Sequence, residues 1–422
     1  MSKELKKNIQ LKFGKPIRLQ RDIKELKEDI FSVTGVIVGF NTLRRFFGLL
    51  KHVEPHRKTL NVLSNYVGFS NYNKFLKKDK KDLLWKNWNY LNKFLKKDNY
   101  VESDFNWLEE LKLKEYYYLL ITRIISEFFV VRSYQNLDVL FKCKNLFFEN
   151  KRQVTAKITT SLNNEISHLN NDELKKIYFL LKNQVFRDLA LYSWVEMDNA
   201  KSYYGTFLRK SIKYIEKDDE LLFTHLYLLL LDFLDKKPVV FASKLTIPEN
   251  CHPILLGRYW SMQLICFPKK RVDIVKKILS IAKNVNSKNE FFQEFIPVLM
   301  LLKDVDSIEL IMNNFYEELM DYTHWDHVSI ERYNLMALAF VYIKRENFLS
   351  IDQLFEFFKI DEEFHHNNNY QKLFYSIALY HYRKTTSQEK VLIDEAEKMY
   401  DDYAKQLGFK HFEKDFLISY FD

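Results

Sequence analysis

Glycine and proline are scarce in this chain, with eight and seven residues among 422. A chain of average composition would carry roughly 30 glycines and 20 prolines at this length. Because tight turns between strands depend on the positive φ of glycine or the fixed φ of proline, the shortage argues against an all-β fold. It also argues against glycine-rich phosphate-binding loops, and the GxxxxGK[ST], GxGxxG, HExxH and GxSxG motifs are all missing. We therefore predict a protein that is not an enzyme, with no catalytic residues and no cofactor.

Paired cysteines and long apolar runs are missing too. Cys143, Cys251 and Cys266 lie far apart and form no CxxC pair, which argues against a disulfide framework and a zinc site. Apolar runs such as residues 226–231 and 297–302 fall far short of the roughly 20 residues that span a bilayer. The basic first ten residues lead into no apolar stretch, so we expect no secretory signal. These features predict a soluble, cytoplasmic protein without a membrane partner.

Positive charge is abundant and unevenly distributed. The formal net charge is +9, yet residues 1–100 hold 23 Lys/Arg against 9 Asp/Glu, and the remaining 322 residues hold 42 against 47. A basic segment on a mildly acidic body is expected where one end of a protein meets a polyanion. The alternative is a solvated lysine surface without a partner.

Apolar residues recur at helical spacing, and the predicted fold class is all-α. Leu84, Trp88, Leu91 and Leu95 follow the i, i+4, i+7, i+11 pattern of one helix face. Residues 69–204 contain neither glycine nor proline, which predicts consecutive long helices. Breaker residues then suggest four segments: a basic head at 1–80, a helical array at 81–237, a Pro-rich irregular connection at 238–268, and a helical repeat array at 269–422.

A possible repeat appears in the last hundred residues. Leu338 and Ala339 recur at an offset of 39 as Ile377 and Ala378. The stretches YNLMALAFVYIKRENFLSIDQLFEFF and LFYSIALYHYRKTTSQEKVLIDEAEKMYDDYAKQLGF are similar to degenerate tetratricopeptide helix pairs, although the Trp and Gly positions of that repeat are absent. The resemblance implies an α-solenoid of antiparallel helix pairs. An irregular all-α bundle is the alternative.

Residues 21–79 predict four short helices. Ile23, Leu26 and Ile30 share one face of the first, and Gly35 follows its end. Asn41 or Thr42 would cap the second helix, and Pro55 would open the third. Gly68 would adopt a left-handed turn, and Ser70 would cap the fourth helix.

The segment TLNVLSNYVGFSNYNKFLKK resembles the helix-turn-helix of AraC-type regulators. In that family a helix ends in Gly-Phe, a Ser-type cap follows, and a short helix carries a central Phe with basic residues after it. The residues that match that pattern here are Leu63, Gly68, Phe69, Ser70, Phe75, Lys77 and Lys78. The resemblance implies that one helix enters a DNA groove while flanking cations meet phosphates. The predicted nucleic-acid-binding residues are Arg44, Arg45, Arg57, Lys58, Asn71, Asn73, Lys74, Lys77 and Lys78.

Aromatic residues and histidines supply further candidates. A concave repeat array could present rings to a peptide or protein partner, with core packing as the alternative. The candidate partner-binding tyrosines are Tyr203, Tyr204, Tyr214, Tyr333 and Tyr342. His324 and His327 could share a helix face, but two histidines are too few for a metal site. Cys251 and His252 are adjacent, which rarely lets two such side chains face each other for catalysis.

The layout resembles bacterial regulators that join a DNA-binding head to tetratricopeptide-type repeats sensing a peptide. The resemblance implies a regulator that contacts DNA, or RNA, through its basic head and a peptide or protein through its body. A non-catalytic helical-repeat scaffold or adaptor is the competing hypothesis, and a nucleic-acid-associated defence or processing component is a third. The sequence leaves the oligomeric state open.

Overall fold

The computed structural model describes residues 2–17, 19–51, 53–148, 152–242, 245–320, 327–357, 368–387 and 389–422. At residues 2–4, 77–83, 148, 152, 153, 327–331, 356, 357 and 368 it describes the backbone alone. Helices dominate these residues and no β-strand occurs among them, which confirms the all-α prediction. No helix in the described part is both long and apolar enough to cross a membrane. The chain divides into two compact units, the N-terminal unit Met1–Asp98 and the C-terminal unit Asn99–Asp422.

The N-terminal unit contains five helices around one apolar core. They are α1 (Ser2–Phe13), α2 (Gln20–Thr34), α3 (Phe40–Phe47), α4 (Arg57–Tyr66) and α5 (Tyr72–Phe94). Helix α2 packs on α3 and α4, while α4 also contacts α1 and α5. The predicted apolar face of α2 is confirmed, since Ile23, Leu26 and Ile30 are completely buried.

Local signals set most of the helix ends in this unit. Gly35 has a φ of 67° and closes α2. Gly68 has a φ of 92°, and the N–H of Phe69 donates to the carbonyl of Ser64 at 2.9 Å, so the predicted left-handed turn is present.

Two predicted helix caps in this unit are wrong. Helix α3 begins at Phe40 with Gly39 as its N-cap, ahead of Asn41 and Thr42. Helix α5 is capped by Asn71, whose Oδ1 accepts from the Lys74 N–H at 2.9 Å, and Ser70 lies one residue before it. Asn and Ser are similarly good caps, so composition alone could not choose between neighbours. Helix α5 also runs through the predicted segment boundary at residue 80.

The C-terminal unit is built from many shorter helices. Its α-helices are α6 (Asn106–Glu109), α7 (Tyr117–Val130), α8 (Tyr134–Lys142), α9 (Asn145–Phe148), α10 (Arg152–Ser167), α11 (Asn171–Ile177), α12 (Gln184–Arg187), α13 (Gly205–Ser211), α14 (Asp218–Leu234), α15 (Pro253–Cys266), α16 (Arg271–Ala282), α17 (Lys288–Gln293), α18 (Ile296–Leu301), α19 (Val305–Leu319), α20 (His327–Lys344), α21 (Phe348–Phe357), α22 (Asn368–Thr386), α23 (Lys390–Leu407) and α24 (Lys414–Ile418). Short π-helical segments occupy Asp188–Tyr192 and Ala200–Tyr204. The consecutive long helices predicted for residues 69–204 are therefore found only in part, because α5 is long and the helices that follow it in this range are shorter.

The Pro-rich connection is shorter than predicted. Residues 238–242 and 245–252 are non-helical, but α15 occupies most of the second half of the predicted segment. Pro253 is the first residue of α15, where its missing N–H leaves no helical bond unmade. The His252 ring caps that helix by accepting from the Ile254 N–H at 3.3 Å. Pro253 therefore begins a helix rather than interrupting one, while Pro238 and Pro248 lie in the non-helical stretch.

The last hundred residues contain helices at both predicted repeat positions. Helix α20 packs against α21 and α22, and α22 packs against α23. Ala339 of α20 and Ala378 of α22 are both buried, as expected for small residues where two helices approach closely. The rings of Phe340 and Phe374 lie 6.3 Å apart across the same helix pair.

Candidate nucleic-acid interface

Helices α4 and α5 are held together by their own turn. The Asn61 Oδ1 accepts from the Tyr72 N–H at 3.0 Å, which ties the start of α5 to the middle of α4. The rings of Phe69 and Phe75 meet edge to face with centroids 5.2 Å apart, and Phe75 is buried in the unit's core. These contacts give the two-helix segment a defined geometry that does not depend on a ligand.

The first turns of α4 and α5 lie side by side. The Arg57 Nη2 donates to the Asn73 Oδ1 at 3.1 Å, although sixteen residues separate the two in sequence. Lys58 and Lys74 are exposed on the same two first turns. We call Arg57, Lys58 and Lys74 the cation cluster. Helix N-termini carry partial positive charge, so the cluster adds three full charges to a place that already favours anions.

The cation cluster is not neutralised by nearby carboxylates. Within the described residues, none of its three members pairs with an Asp or Glu. Residues 41–98 hold 14 Lys/Arg and 4 Asp/Glu, whereas α2 alone holds four of the unit's nine acidic residues. Glu54 is an acidic residue close enough to act on this region. Burial raises the pKa of Tyr72, and the negative charge of Glu54 raises it further. The positive charge of the unit thus lies outside α2, along α3 to α5 and also in residues 1–19, which hold six Lys/Arg against one Asp/Glu.

The remaining predicted nucleic-acid contacts divide into three groups. Arg45 is exposed on α3 and available to a ligand. Arg44 lies partly buried over the Phe40 ring at 5.6 Å and donates to the Asn41 Oδ1 at 3.2 Å, so packing already restrains it. Asn71 serves as the α5 cap, which leaves it a structural role. Lys77 and Lys78 lie on α5, but their side chains are outside the described residues.

Three predicted partner-binding tyrosines lie in the core, which corrects that prediction. Tyr203, Tyr204 and Tyr333 are at most 8% exposed, and burial raises the pKa of each. The Tyr204 hydroxyl donates to the carbonyl of Leu191 at 2.6 Å. A partner could not reach these rings without unpacking the unit. Tyr214 and Tyr342 are half-buried.

A surface groove of about 360 Å³ occurs elsewhere in the C-terminal unit. It lies between α15 and α16 and combines rings with two lysines and one carboxylate. The Lys277 Nζ lies 4.7 Å from the centre of the Trp260 ring. Its lining residues are Tyr259, Trp260, Gln263, Phe267, Lys270, Asp273, Ile274 and Lys277. Sequence reasoning missed it because the lining comes from two helices separated by a turn.

The histidines and cysteines form no reactive arrangement in the described residues. No group of three or more His, Cys, Asp or Glu side chains could hold a metal ion there. Burial raises the pKa of Cys251 to about 11, which disfavours the nucleophilic thiolate, and His252 is occupied as a helix cap. The candidate pair His324 and His327 lies outside the described side chains.

The whole chain was compared with protein-family models, curated proteins and solved structures, and none of them matches it.

Proposed function

We propose that this protein is a nucleic-acid-binding regulator whose N-terminal unit contacts duplex DNA or RNA at the cation cluster. The observation that carries the proposal is the Arg57–Asn73 hydrogen bond, which joins the first turns of α4 and α5, where Lys58 and Lys74 are also exposed. An amide held beside cations on one surface combines phosphate contact with a group able to contact base edges. The α4–turn–α5 arrangement, with Gly68 in the left-handed turn, supports a helix-turn-helix mode of contact.

The proposal extends to the C-terminal unit, which would bind the regulating peptide or protein. The groove between α15 and α16 supports this role, since it offers stacking rings beside the cations Lys270 and Lys277. Two consecutive helix pairs, α20–α21 and α22–α23, are compatible with a tetratricopeptide-like array. A peptide with an aromatic residue and an acidic residue would complement the groove.

Duplex binding by the full-length protein tests the first part. Each phosphate contact contributes a slope of about −0.9 to the plot of log affinity against log salt. Replacing Arg57, Lys58 and Lys74 together by Ala should therefore flatten that slope by about 2 to 3 and weaken binding at low salt. Fluorescence anisotropy with a labelled random duplex, repeated over a salt series, measures both effects.

Helix α2 offers a matched control. Arg21→Ala, Lys24→Ala and Lys27→Ala together remove the same charge from the same unit, but from a helix that also carries Glu25 and Glu28. This control should leave the slope nearly unchanged. Equal losses in the two triple variants, or no duplex binding by the parent at low salt, would overturn the proposal.

A further inference from the structure

The second half of α5 exposes large rings in a strongly basic setting. Trp85 is 66% exposed and Tyr90 is 50% exposed, whereas Phe46, Tyr66 and Phe75 of the same unit are buried. Residues 84–97 contain four lysines and no Asp or Glu. Half or more of the surface of each ring is therefore open to solvent, in a segment of positive charge.

The exposed residues share one side of the helix. At 100° per residue, Trp85, Asn89 and Lys93 follow one another at steps of about 40° around the helix, and Lys86 and Tyr90 form a second row beside them. Together the five residues span an arc of about 140°. All five are exposed, whereas Leu91 on the opposite side is completely buried. We call these five residues the ring face. Its two rings lie about 7.5 Å apart along the helix axis, given a rise of about 1.5 Å per residue.

The chemistry of the ring face suits a strand with unpaired bases. Flat rings stack on base faces, cations attract phosphates, and amides can contact base edges. A duplex keeps its base faces inside the stack and cannot offer them to Trp85 or Tyr90. A bilayer surface would favour a continuous apolar stripe, but Asn89 and Lys93 interrupt this one.

We propose that the ring face binds single-stranded nucleic acid by stacking bases on Trp85 and Tyr90 between phosphates held by Lys86 and Lys93. The inference rests on the proposed function, in that it assigns a second nucleic-acid contact to the same unit. It uses different residues from the cation cluster. Lys74 and Trp85 are eleven positions apart on α5, about 16 Å along its axis, so the two surfaces are separate. The N-terminal unit would then favour a site where duplex and single strand adjoin.

Binding of a labelled short oligothymidylate to the full-length protein tests this inference. Stacking of one base on an aromatic side chain contributes enough that losing the ring weakens binding about five-fold or more. Trp85→Ala and Tyr90→Ala should each show that loss, and the double variant a larger one. Trp85→Phe should retain most of the affinity, because a ring remains. The parent should also bind oligothymidylate more tightly than an abasic strand of equal length and charge.

Phe31→Ala is the matched control, since Phe31 is a half-exposed ring on α2 of the same unit. It should leave oligothymidylate binding unchanged, and thermal melts should show that all variants fold. Equal binding of thymidylate and abasic strands, or alanine variants within two-fold of the parent, would overturn the inference. So would loss of binding to phosphatidylserine vesicles in Trp85→Ala with no change on the oligonucleotide.

The two proposals can fail separately. Alanine variants of the cation cluster should weaken duplex binding while the difference between thymidylate and abasic strands persists. If the parent binds no duplex but stacking on Trp85 is retained, the duplex proposal fails alone. If duplex binding depends on the cluster and the ring variants change nothing, only the ring face is wrong.

Discussion

Gly257 lets two helices of the C-terminal unit touch through their backbones. A Cβ built on this residue of α15 would lie 2.0 Å from the Phe291 carbonyl oxygen of α17. The neighbouring Ser261 hydroxyl donates to the Gly257 carbonyl and also lies within hydrogen-bonding distance of the Glu294 carbonyl, both at 2.8 Å. The contact is between rigid backbone segments, so neither side can move away without disturbing its own helix.

Gly257→Ala should therefore strongly destabilise the C-terminal unit. We expect a loss of about 3 kcal/mol in the free energy of unfolding, at the upper end for an overpacked interior. Urea denaturation followed by far-UV circular dichroism measures it. Ser280→Ala, at an exposed position of α16, is the control and should be nearly neutral. Similar stability of both variants would show that α15 and α17 do not approach this closely.

At the element scale, helix ends in this chain do not require glycine. Arg132, Lys236, Lys303 and Glu346 follow the ends of α7, α14, α18 and α20, and all four have a φ between 54° and 57°. After each, the next N–H donates back to a carbonyl five residues earlier, as from Asn347 to Tyr342 at 2.9 Å. These are the bonds of a Schellman closure with an ordinary residue in the left-handed position. Arg132 thus closes α7 within residues 69–204, which contain neither glycine nor proline.

Replacing such a residue by glycine should stabilise the unit. A side chain in the left-handed region costs about 1 kcal/mol or more, and Glu346 is exposed with no partner among the described residues. Glu346→Gly should thus raise the free energy of unfolding by up to about 1 kcal/mol, after the added chain entropy of glycine is subtracted. Thermal denaturation should show a higher midpoint.

Gly408→Ala provides the mirror experiment in the same unit. Gly408 closes α23 with a φ of 69°, and an added Cβ would meet little but the Lys405 carbonyl oxygen at 4.0 Å. We expect Gly408→Ala to lower the free energy of unfolding by about 1 kcal/mol through backbone strain alone. If Glu346→Gly lowers the midpoint instead, the left-handed assignment at that helix end is wrong.

At the scale of the whole molecule, the last residues of the chain close the C-terminal unit. The Tyr420 hydroxyl donates to the Met300 carbonyl at 2.7 Å, and the Lys303 Nζ donates to the Ser419 carbonyl at 2.8 Å. Two histidines contact the same region. The His381 Nε2 lies 2.7 Å from the Leu417 carbonyl oxygen, and the His411 Nε2 lies 3.1 Å from the Leu301 carbonyl oxygen. The C-terminal residues therefore connect α18 with α22 and α24.

This closure should make the unit sensitive to acid. The pKa of His411 is lowered to about 4, chiefly by burial; Lys236 and Lys303 also lower it, and the hydrogen bond to Leu301 opposes the shift. Burial also lowers the pKa of His381. Because an unfolded histidine binds a proton near pH 6.5, the unfolded state takes up more protons than the folded state between pH 6.5 and 4. The contribution of the two neutral histidines to the free energy of unfolding is therefore complete above pH 6.5 and should decrease as the pH falls from 6.5 to 4.

The measurement is the free energy of unfolding by urea at a series of pH values. His411→Gln keeps a side-chain donor for the Leu301 carbonyl but cannot titrate. The slope of its unfolding free energy against pH should therefore correspond to the uptake of up to one proton fewer on unfolding. His168→Gln, at an exposed histidine of the same unit, is the control and should leave the slope unchanged. An unchanged slope in His411→Gln would mean that this ring is accessible to protons in the folded state.

The sequence predicts the proposed nucleic-acid interface only in part. It identified Arg57, Lys58 and Lys74 as candidates because basic residues close to a helix-turn-helix pattern can be recognised in the sequence. It did not indicate that Arg57 would reach Asn73, because that bond depends on the angle between α4 and α5. It also missed Trp85 and Tyr90 as exposed rings, since a ring at helical spacing is more often a core residue. Their placement among lysines without a carboxylate was the signal that could have found them.

What the sequence determined by itself is local. Apolar spacing produced the buried face of α2, and glycine produced the left-handed ends after α2 and α4, because both depend on a few neighbouring backbone angles. The tertiary structure alone decided that Tyr203, Tyr204 and Tyr333 are buried, and that Arg132 and Glu346 take positions usually held by glycine. Burial depends on which distant helices pack together, and a strained backbone angle persists only when that packing stabilises it by more than the strain costs.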